Sequence, residues 1–356
     1  MKYSYARLFE FTTSVLMKMG FSRADSEQCA KVFLAAELRG FATHGVIRLG
    51  DYYKLWEAGR INTKYNLKIV HETPSTAVVD GDGTIGMIPG KFSMELAIKK
   101  AKQAGTGWVA TRNSCNFGIS GYYAMMALEH DMIGITMTNA SPLVAPTFSA
   151  EAMLGTNPIA IAIPAKEQPP FVADFATTPI NRGKFTIAAK KGEMLGWGFA
   201  QDKNGNPSND PTILEKGGSM LPLGGDREHG SHKGYCLGSI VDIFSAVLSG
   251  ANFGPFVPPM VAYLPVLDKK VGAGLGHFFG AMRIDAFQEA DHFKSMMDQW
   301  IELFRNAKPA EGQEHVLIPG DPERESEKRV MLEGISLIPQ VEADLKNIAA
   351  RFELEF

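Results

Sequence analysis

The chain has 356 residues, 45% of them hydrophobic and 21% charged, with 36 basic against 39 acidic side chains and a net charge of −3. Such a chain can bury a large core, which excludes disorder as its main state. It also lacks the basic field that would hold nucleic-acid phosphates. Three cysteines, Cys29, Cys115 and Cys236, are odd in number and far apart. They point to a reducing compartment rather than a disulfide framework.

The first 60 residues read as helices. Leu8, Phe11, Val15 and Met19 recur at steps of three and four until Gly20. Ser22-Arg23-Ala24-Asp25 opens a second helix that runs to Gly40, and a third is expected over 43–59. Short β-branched runs at 75–80, 107–111, 132–138 and 158–164 read as strands, with helices over 91–104 and 121–130 between them. This alternation predicts an α/β layer structure. Residues 203–210 and 217–230 form turn clusters. The apolar stretch 234–250 has Asp242 in its middle, and reads as a buried helix rather than a membrane span. Helix resumes from Asp285, with Phe293, Met297, Trp300 and Phe304 on one side. A strand at 316–318 and helices over 322–333 and 340–352 close the chain. The pattern predicts a helical domain built from both termini, 1–75 plus 285–356, flanking a central α/β domain, 76–284. Residues 1–20 scatter Lys2, Arg7, Glu10 and Lys18, unlike a signal peptide, so a cytoplasmic protein is expected.

Gly81-Asp82-Gly83-Thr84-Ile85-Gly86 follows a strand-like run and spells GxGxxG, the turn that holds a pyrophosphate in Rossmann folds. Pro89-Gly90 interrupts the chain after it, and the next strand ends in Arg112-Asn113 with no acid for a ribose. A plain glycine turn is the better reading.

His44, Arg48 and Tyr52 lie at i, i+4 and i+8, so a helix over 43–59 would carry them on one face, opposite Val46, Leu49, Tyr53 and Trp56. A solvated polar face is one reading. The other is a site: an imidazole exchanges protons near neutral pH, and a guanidinium grips a carboxylate through two parallel hydrogen bonds. His229 and His232 lack the further ligands that zinc needs, and no metal is expected. Lys233-Gly234 starts a helix where phosphate could bind, or it is a solvated loop. The loops around Thr156-Asn157 and Asp174-Phe175-Ala176-Thr177-Thr178 end strand-like runs and suit either ligand contact or turn chemistry.

Arg39-Gly40-Phe41-Ala42-Thr43-His44-Gly45-Val46-Ile47-Arg48 resembles the signature of the malate/L-lactate dehydrogenase family of NAD(P)-dependent oxidoreductases. The likeness continues through Asn113-Ser114, Thr138-Asn139, residues 154–158, 174–178, Arg182-Gly183-Lys184, 222–225, His232-Lys233-Gly234-Tyr235 and 319–323. It implies an α/β, family-specific, non-Rossmann dinucleotide-binding fold, with the terminal helices carrying the catalytic segment. It implies His44 as the proton donor or acceptor, Arg48 as the carboxylate ligand, and Tyr52 nearby. Asp174 would orient or stabilise charge near His44. Cofactor contacts fall on Thr156, Asn157, Asp174, Ala176, Thr177, Thr178, Lys233, Gly234, Gly320 and Asp321. NAD or NADP is expected, as is a homodimer with sites near the subunit interface. Where many relatives have His in an Asn-Ser-x-His motif this chain has Asn116, an amide that can hydrogen-bond substrate but cannot trade protons. The expected reaction joins a 2-hydroxy acid to its 2-oxo acid, with (S)-malate and oxaloacetate the best fit. Lactate, sulfolactate, ureidoglycolate, a cyclic imino acid and a non-catalytic dinucleotide-binding role are the alternatives. For the second carboxylate of malate, Arg227, His229 and a partner subunit's residue are candidates.

Overall fold

In the computed structural model, which describes residues 2–356, serine caps open the first helices. After a two-residue strand β1 (Lys2–Tyr3), Ser4 accepts the Arg7 N–H and starts α1 (Tyr5–Lys18). Ser22 accepts the Asp25 N–H and starts α2 (Arg23–Leu38). These hydroxyls satisfy donors that a helix leaves unpaired at its first turn. The expected helix over 43–59 is instead two 3-10 turns, Ala42–His44 and Val46–Arg48, followed by α3 (Leu49–Glu57). Gly45 breaks it, with an extended ψ of −148°.

The main sheet draws on β2 (Lys68–Glu72), β3 (Thr76–Asp80), β4 (Thr106–Ser114), β5 (Met132–Thr138), β6 (Ile159–Ile163) and β7 (Phe171–Phe175). Helix α4 (Met87–Ala104) connects β3 to β4, and α5 (Ser120–Met125) precedes β5. Helix α6 (Arg182–Lys191) leads to a small sheet of β8 (Ala200–Gln201), β9 (Pro207–Ser208) and β10 (Ser219–Met220). Helix α7 (Ser231–Asp242) then runs into a π-helical turn, Ile243–Val247. Strand β11 (Leu275–Arg283), α8 (Ala290–Arg305), α9 (Asp321–Glu333), β12 (Ile335–Ser336) and α10 (Pro339–Phe352) finish the chain.

The seven strands are ordered β2-β3-β4-β11-β5-β6-β7. Only β3 and β4 are parallel; every other pair in this sheet is antiparallel. That is a mixed α/β fold and not the doubly wound parallel sheet of a Rossmann domain. The late strand β11 occupies the centre, between β4 and β5. Its Leu275–Ala281 stretch is buried on both faces, so it has no in/out alternation to read. The segment 316–318, expected as a strand, is not one; Ile318 is buried beside the start of α9.

The termini meet: β1 pairs with β12, Lys2 opposite Ser336. One apolar core joins Leu8, Phe33, Leu49, Met94, Val109, Phe279 and Leu345, running from the terminal helices into the sheet. A second, smaller core holds Val144, Ile180, Phe185 and Met220 around the small sheet.

Helix α4 begins at Met87, so Pro89 lies inside its first turn. Proline is tolerated there because the N–H it lacks would be unpaired anyway. The GxGxxG segment does link parallel strands, yet it is filled by protein. Gly81 and Gly83 donate to the carbonyls of Arg112 and Asn113, and Gly86 donates to that of Asn116. A Cβ at Gly86 would overlap the Cys115 carbonyl, so the glycine serves packing and leaves no room for a pyrophosphate. The 234–250 helix is also not buried all round: Ile240, Ile243, Phe244, Val247 and Leu248 are exposed. Among the described residues, no helix is long and apolar enough to cross a membrane.

Candidate active site

A cavity of about 440 Å³ opens where the two 3-10 turns meet the loops of the sheet. Its polar wall holds His44, Arg48, Asn116, Ser141, Thr156 and Arg182. Its apolar wall comes from Pro142, Leu143 and the 255–267 segment, including Val257, Met260 and Leu264. The structure thus brings together His44, Arg48, Asn116 and Thr156 from the sequence-derived set.

The His44 Nδ1 lies 3.1 Å from the Thr43 hydroxyl. Burial, with the adjacent Arg48 charge, lowers its pKa to about 4. The imidazole is therefore neutral near pH 7 and ready to accept a proton. Arg48 donates through Nε to the Thr43 carbonyl at 2.7 Å and through Nη1 to Asp51 at 3.0 Å. These bonds fix the guanidinium plane and leave Nη2 without a protein partner among the described residues.

Both side chains depend on the turn between them. The Glu37 carboxylate, on α2, accepts the Val46 N–H at 2.8 Å and lies flat against Gly45, where a Cβ would overlap it. Burial pushes this carboxyl up to about 7, against the opposing pull of the Val46 N–H.

Tyr52 is not a cavity residue. It is fully buried, edge-on to Phe33, and its hydroxyl donates to Asn116, 2.8 Å from the backbone oxygen and 2.9 Å from Oδ1. The break at Gly45 removes the single helical face that would have aligned it with His44. Asn116 Oδ1 also accepts the Gly118 N–H at 3.0 Å. With that oxygen engaged, Asn116 offers the cavity its Nδ2 as a donor. Behind it Phe117 stacks at 4.5 Å on His277, a fully buried ring that bridges Ser114 and Thr138 at 2.7 Å each. Burial lowers the His277 pKa to about 3, so it is a neutral strut between β4 and β5.

Asp174 is not placed beside His44. Its Oδ2 accepts the Gly121 N–H at 2.8 Å, and the charges that act on it are Arg39 and Glu323. Burial raises its pKa to about 6. Its position on β7, paired with Ala160, turns it toward α5. The expected role beside the imidazole is therefore corrected.

The remaining cofactor candidates fall into two groups. Thr156 lines the cavity; its carbonyl accepts from both the N–H and the hydroxyl of Thr177. Asn157 is fully buried, donating to Gly238 of α7 and accepting from Ala140. The Leu223 N–H donates to the Thr177 carbonyl, and Gly234 packs tightly on Leu223. Thr156, Asn157, Thr177 and Gly234 thus form one continuous wall. The Asn157, Thr177 and Thr178 side chains spend their hydrogen bonds on protein. They shape this wall rather than point from it. Ala176 borders it in sequence, and Lys233 is exposed at the start of α7. Gly320 and Asp321 lie elsewhere, at the head of α9. The Asp321 carboxylate is held by Arg305, Arg324 and the Ile318 N–H, and Gly320 abuts Val172.

Arg227 and His229, expected near a second carboxylate, are also elsewhere. Arg227 lines a separate cavity of about 490 Å³ and contacts His232, while His229 pairs with Asp226. The cation that does reach the site is Arg182, at the first position of α6. Gly183 beside it presses on the Thr43 methyl, where a Cβ would come within 2.6 Å. That contact joins α6 to the His44 turn. Arg182-Gly183-Lys184 is visible in the sequence as a motif, but nothing local ties it to His44, 138 positions earlier. Glu37 gave no signal at all, being an ordinary acid in a helical run.

The malate/L-lactate dehydrogenase family matches residues 3–346. A malate dehydrogenase of Pyrococcus horikoshii is 39% identical over 98% of this chain and 95% of its own. An L-sulfolactate dehydrogenase of Methanocaldococcus jannaschii is 41% identical over 94% of this chain and 92% of its own. The crystal structure of malate dehydrogenase from Entamoeba histolytica superposes with a TM-score of 0.93 at 34% identity, covering 100% of this chain and 99% of that one.

Proposed function

This chain belongs to the malate/L-lactate dehydrogenase family, and from that premise we propose that it interconverts a 2-hydroxy acid carrying a second anionic group with its 2-oxo acid, using NAD or NADP. (S)-Malate and oxaloacetate fit best. The observation that carries this reading is one cavity lined by an imidazole that burial keeps neutral, His44, and by two arginines, Arg48 and Arg182.

The residues present fit a nicotinamide: an apolar wall at Leu143, Val257 and Met260 faces hydroxyl and amide groups at Ser141, Thr156 and Asn116. When bound, the nicotinamide supplies a two-electron hydride acceptor or donor at its C4. Arg48 takes the C1 carboxylate with the part of its fork that Thr43 and Asp51 leave open. The neutral His44 accepts the C2 hydroxyl proton as the C2–H electron pair departs, leaving a 2-oxo acid and an imidazolium. In the reverse direction protonated His44 returns that proton to the carbonyl oxygen. A bound carboxylate offsets the Arg48 charge and so makes the imidazolium easier to form. Asn116 Nδ2 donates to the C2 oxygen without changing protonation. The apolar wall keeps water from the reacting carbon.

Arg182 supports the preference for a second anion. Among the described residues it has no carboxylate partner, only the Tyr263 hydroxyl at 3.5 Å. The similarity to both malate and sulfolactate dehydrogenases supports the same class, since a carboxylate and a sulfonate are both anions at the far end of the substrate. We also propose a homodimer, for which the exposed apolar side chains Ile240, Ile243, Phe244, Val247 and Leu248 are the support. Initial rates of NADH and NADPH oxidation with oxaloacetate, sulfopyruvate and pyruvate test the reading. Turnover of the two dianionic oxo acids above pyruvate is expected; turnover of none of the three sinks it.

A further inference from the structure

We infer that Glu37 is the positioning residue of this site: by holding the Gly45-Val46 link it sets the placement of His44 relative to Arg48. The inference rests on the function proposed above.

The chain between the two functional side chains is short and has one soft joint. The His44 N–H donates to Phe41 and the Gly45 N–H to Ala42, which closes the first 3-10 turn. The Arg48 N–H donates to Gly45, which closes the second. Between these turns the Val46 N–H has neither turn for a partner, and it is buried. Glu37 Oε1 is its acceptor, at 2.8 Å. A buried N–H without an acceptor is costly, so the link settles where Glu37 can reach it.

The second constraint is steric. Gly45 sits directly on the Glu37 side chain, and any Cβ there would overlap Oε1, Cδ and Cγ. Its φ of −83° lies outside the left-handed region, and the close approach to Glu37 is what excludes a side chain here. Glu37 therefore fixes the link by a hydrogen bond on one side and by contact on the other. It is itself anchored in α2, whose neighbours Phe33, Leu34 and Ala36 are all fully buried. The rigidity of the core is in this way passed to a segment with little regular structure. Substrate geometry is sensitive to such support, because an error of about 1 Å in placing reacting groups can cost about 10²-fold in rate.

The acceptor atom matters here more than the charge. Glu37→Gln keeps an oxygen of the same reach and shape, whereas Glu37→Leu keeps the bulk and removes the acceptor. Kinetics are measured per mole of folded protein, alongside NADH affinity by fluorescence titration. Glu37→Gln is expected to stay within about 3-fold of the parent, and Glu37→Leu to lose about 10²-fold in kcat/KM for the 2-oxo acid, with NADH affinity unchanged. Parental kcat/KM in Glu37→Leu, or equal losses in the Gln and Leu variants, overturns the inference. If Glu37→Leu does not fold, Gly45→Ala attacks the same contact from the turn, and parental kinetics there overturn it equally. His44→Ala serves as the control. Parental kinetics in His44→Ala would defeat the proposed function, whereas an inactive His44→Ala beside a fully active Glu37→Leu defeats only the positioning role.

Discussion

The Tyr52 hydroxyl reaches out of the apolar core to Asn116, 2.8 Å from its carbonyl oxygen and 2.9 Å from its amide oxygen. One O–H shared between two acceptors orients the amide so that its nitrogen is left for the cavity. Tyr52→Phe removes that tether while keeping the ring against Phe33. The Gly118 N–H still holds Oδ1, so the loss is partial. We expect a stability loss of about 1 kcal/mol, read by denaturant melts, and a rise of a few-fold in KM for the 2-oxo acid. An unchanged KM with lowered stability would confine Tyr52 to the core.

His44 is expected to govern the pH response. Its pKa is lowered from 6.5 to about 4, so oxidation of the hydroxy acid should keep its active, neutral base well below pH 6. The acid limb of kcat/KM, which reports the free enzyme, is expected near pH 4 rather than 6.5. The linkage has the matching sign. A depressed folded pKa gives stability that is present above pH 6.5 and lost as pH falls toward 4. His44→Ala should abolish the limb and cost about 10²–10⁴-fold in kcat with cofactor affinity kept. A limb still centred at 6.5 in the parent enzyme would contradict the burial argument.

Arg48→Lys keeps the charge and loses the fork. A single ammonium cannot hold the Thr43 carbonyl, Asp51 and a substrate carboxylate in the same geometry. KM for the 2-oxo acid should rise about 10–100-fold, equivalent to about 1.4–2.8 kcal/mol, with a smaller change in kcat. Steady-state kinetics at constant ionic strength decide this, and equal KM values would remove Arg48 from carboxylate binding.

Arg182→Met tests the second anion. The variant should lose about 10–100-fold in kcat/KM for oxaloacetate and sulfopyruvate and little for pyruvate, because only the first two present a charge to that side chain. Equal losses on all three substrates, or a rise in KM for the cofactor instead, would assign Arg182 another task.

Several of these features were legible before folding was considered. Short β-branched runs placed β3, β5 and β6 almost to the residue, and the 3.6 period placed α1 and α10. His44 and Arg48 stood out because their chemistry is uncommon and their spacing close. The same spacing misled for Tyr52, since i, i+4, i+8 shares a face only on a continuous helix and Gly45 ends it. Strand β11 escaped because a strand buried on both faces has no periodicity, and Gly276, His277 and Gly280 disguise it further.

What the sequence by itself determined is therefore local: which segments repeat with a helical or strand period, which loops carry glycine, and which two side chains combine an imidazole with a guanidinium. Tertiary structure alone decided the rest. It moved Asp174 away from His44, turned Tyr52 inward, brought Arg182 rather than Arg227 and His229 to the cavity, and set Glu37 under Gly45. The physical reason is the same in each case. Period and propensity act over a few residues, whereas a site is made by contacts between distant segments. Gly183 on Thr43 and Glu37 on Gly45 are close approaches that exist only once α6 and α2 have been packed against the same turn.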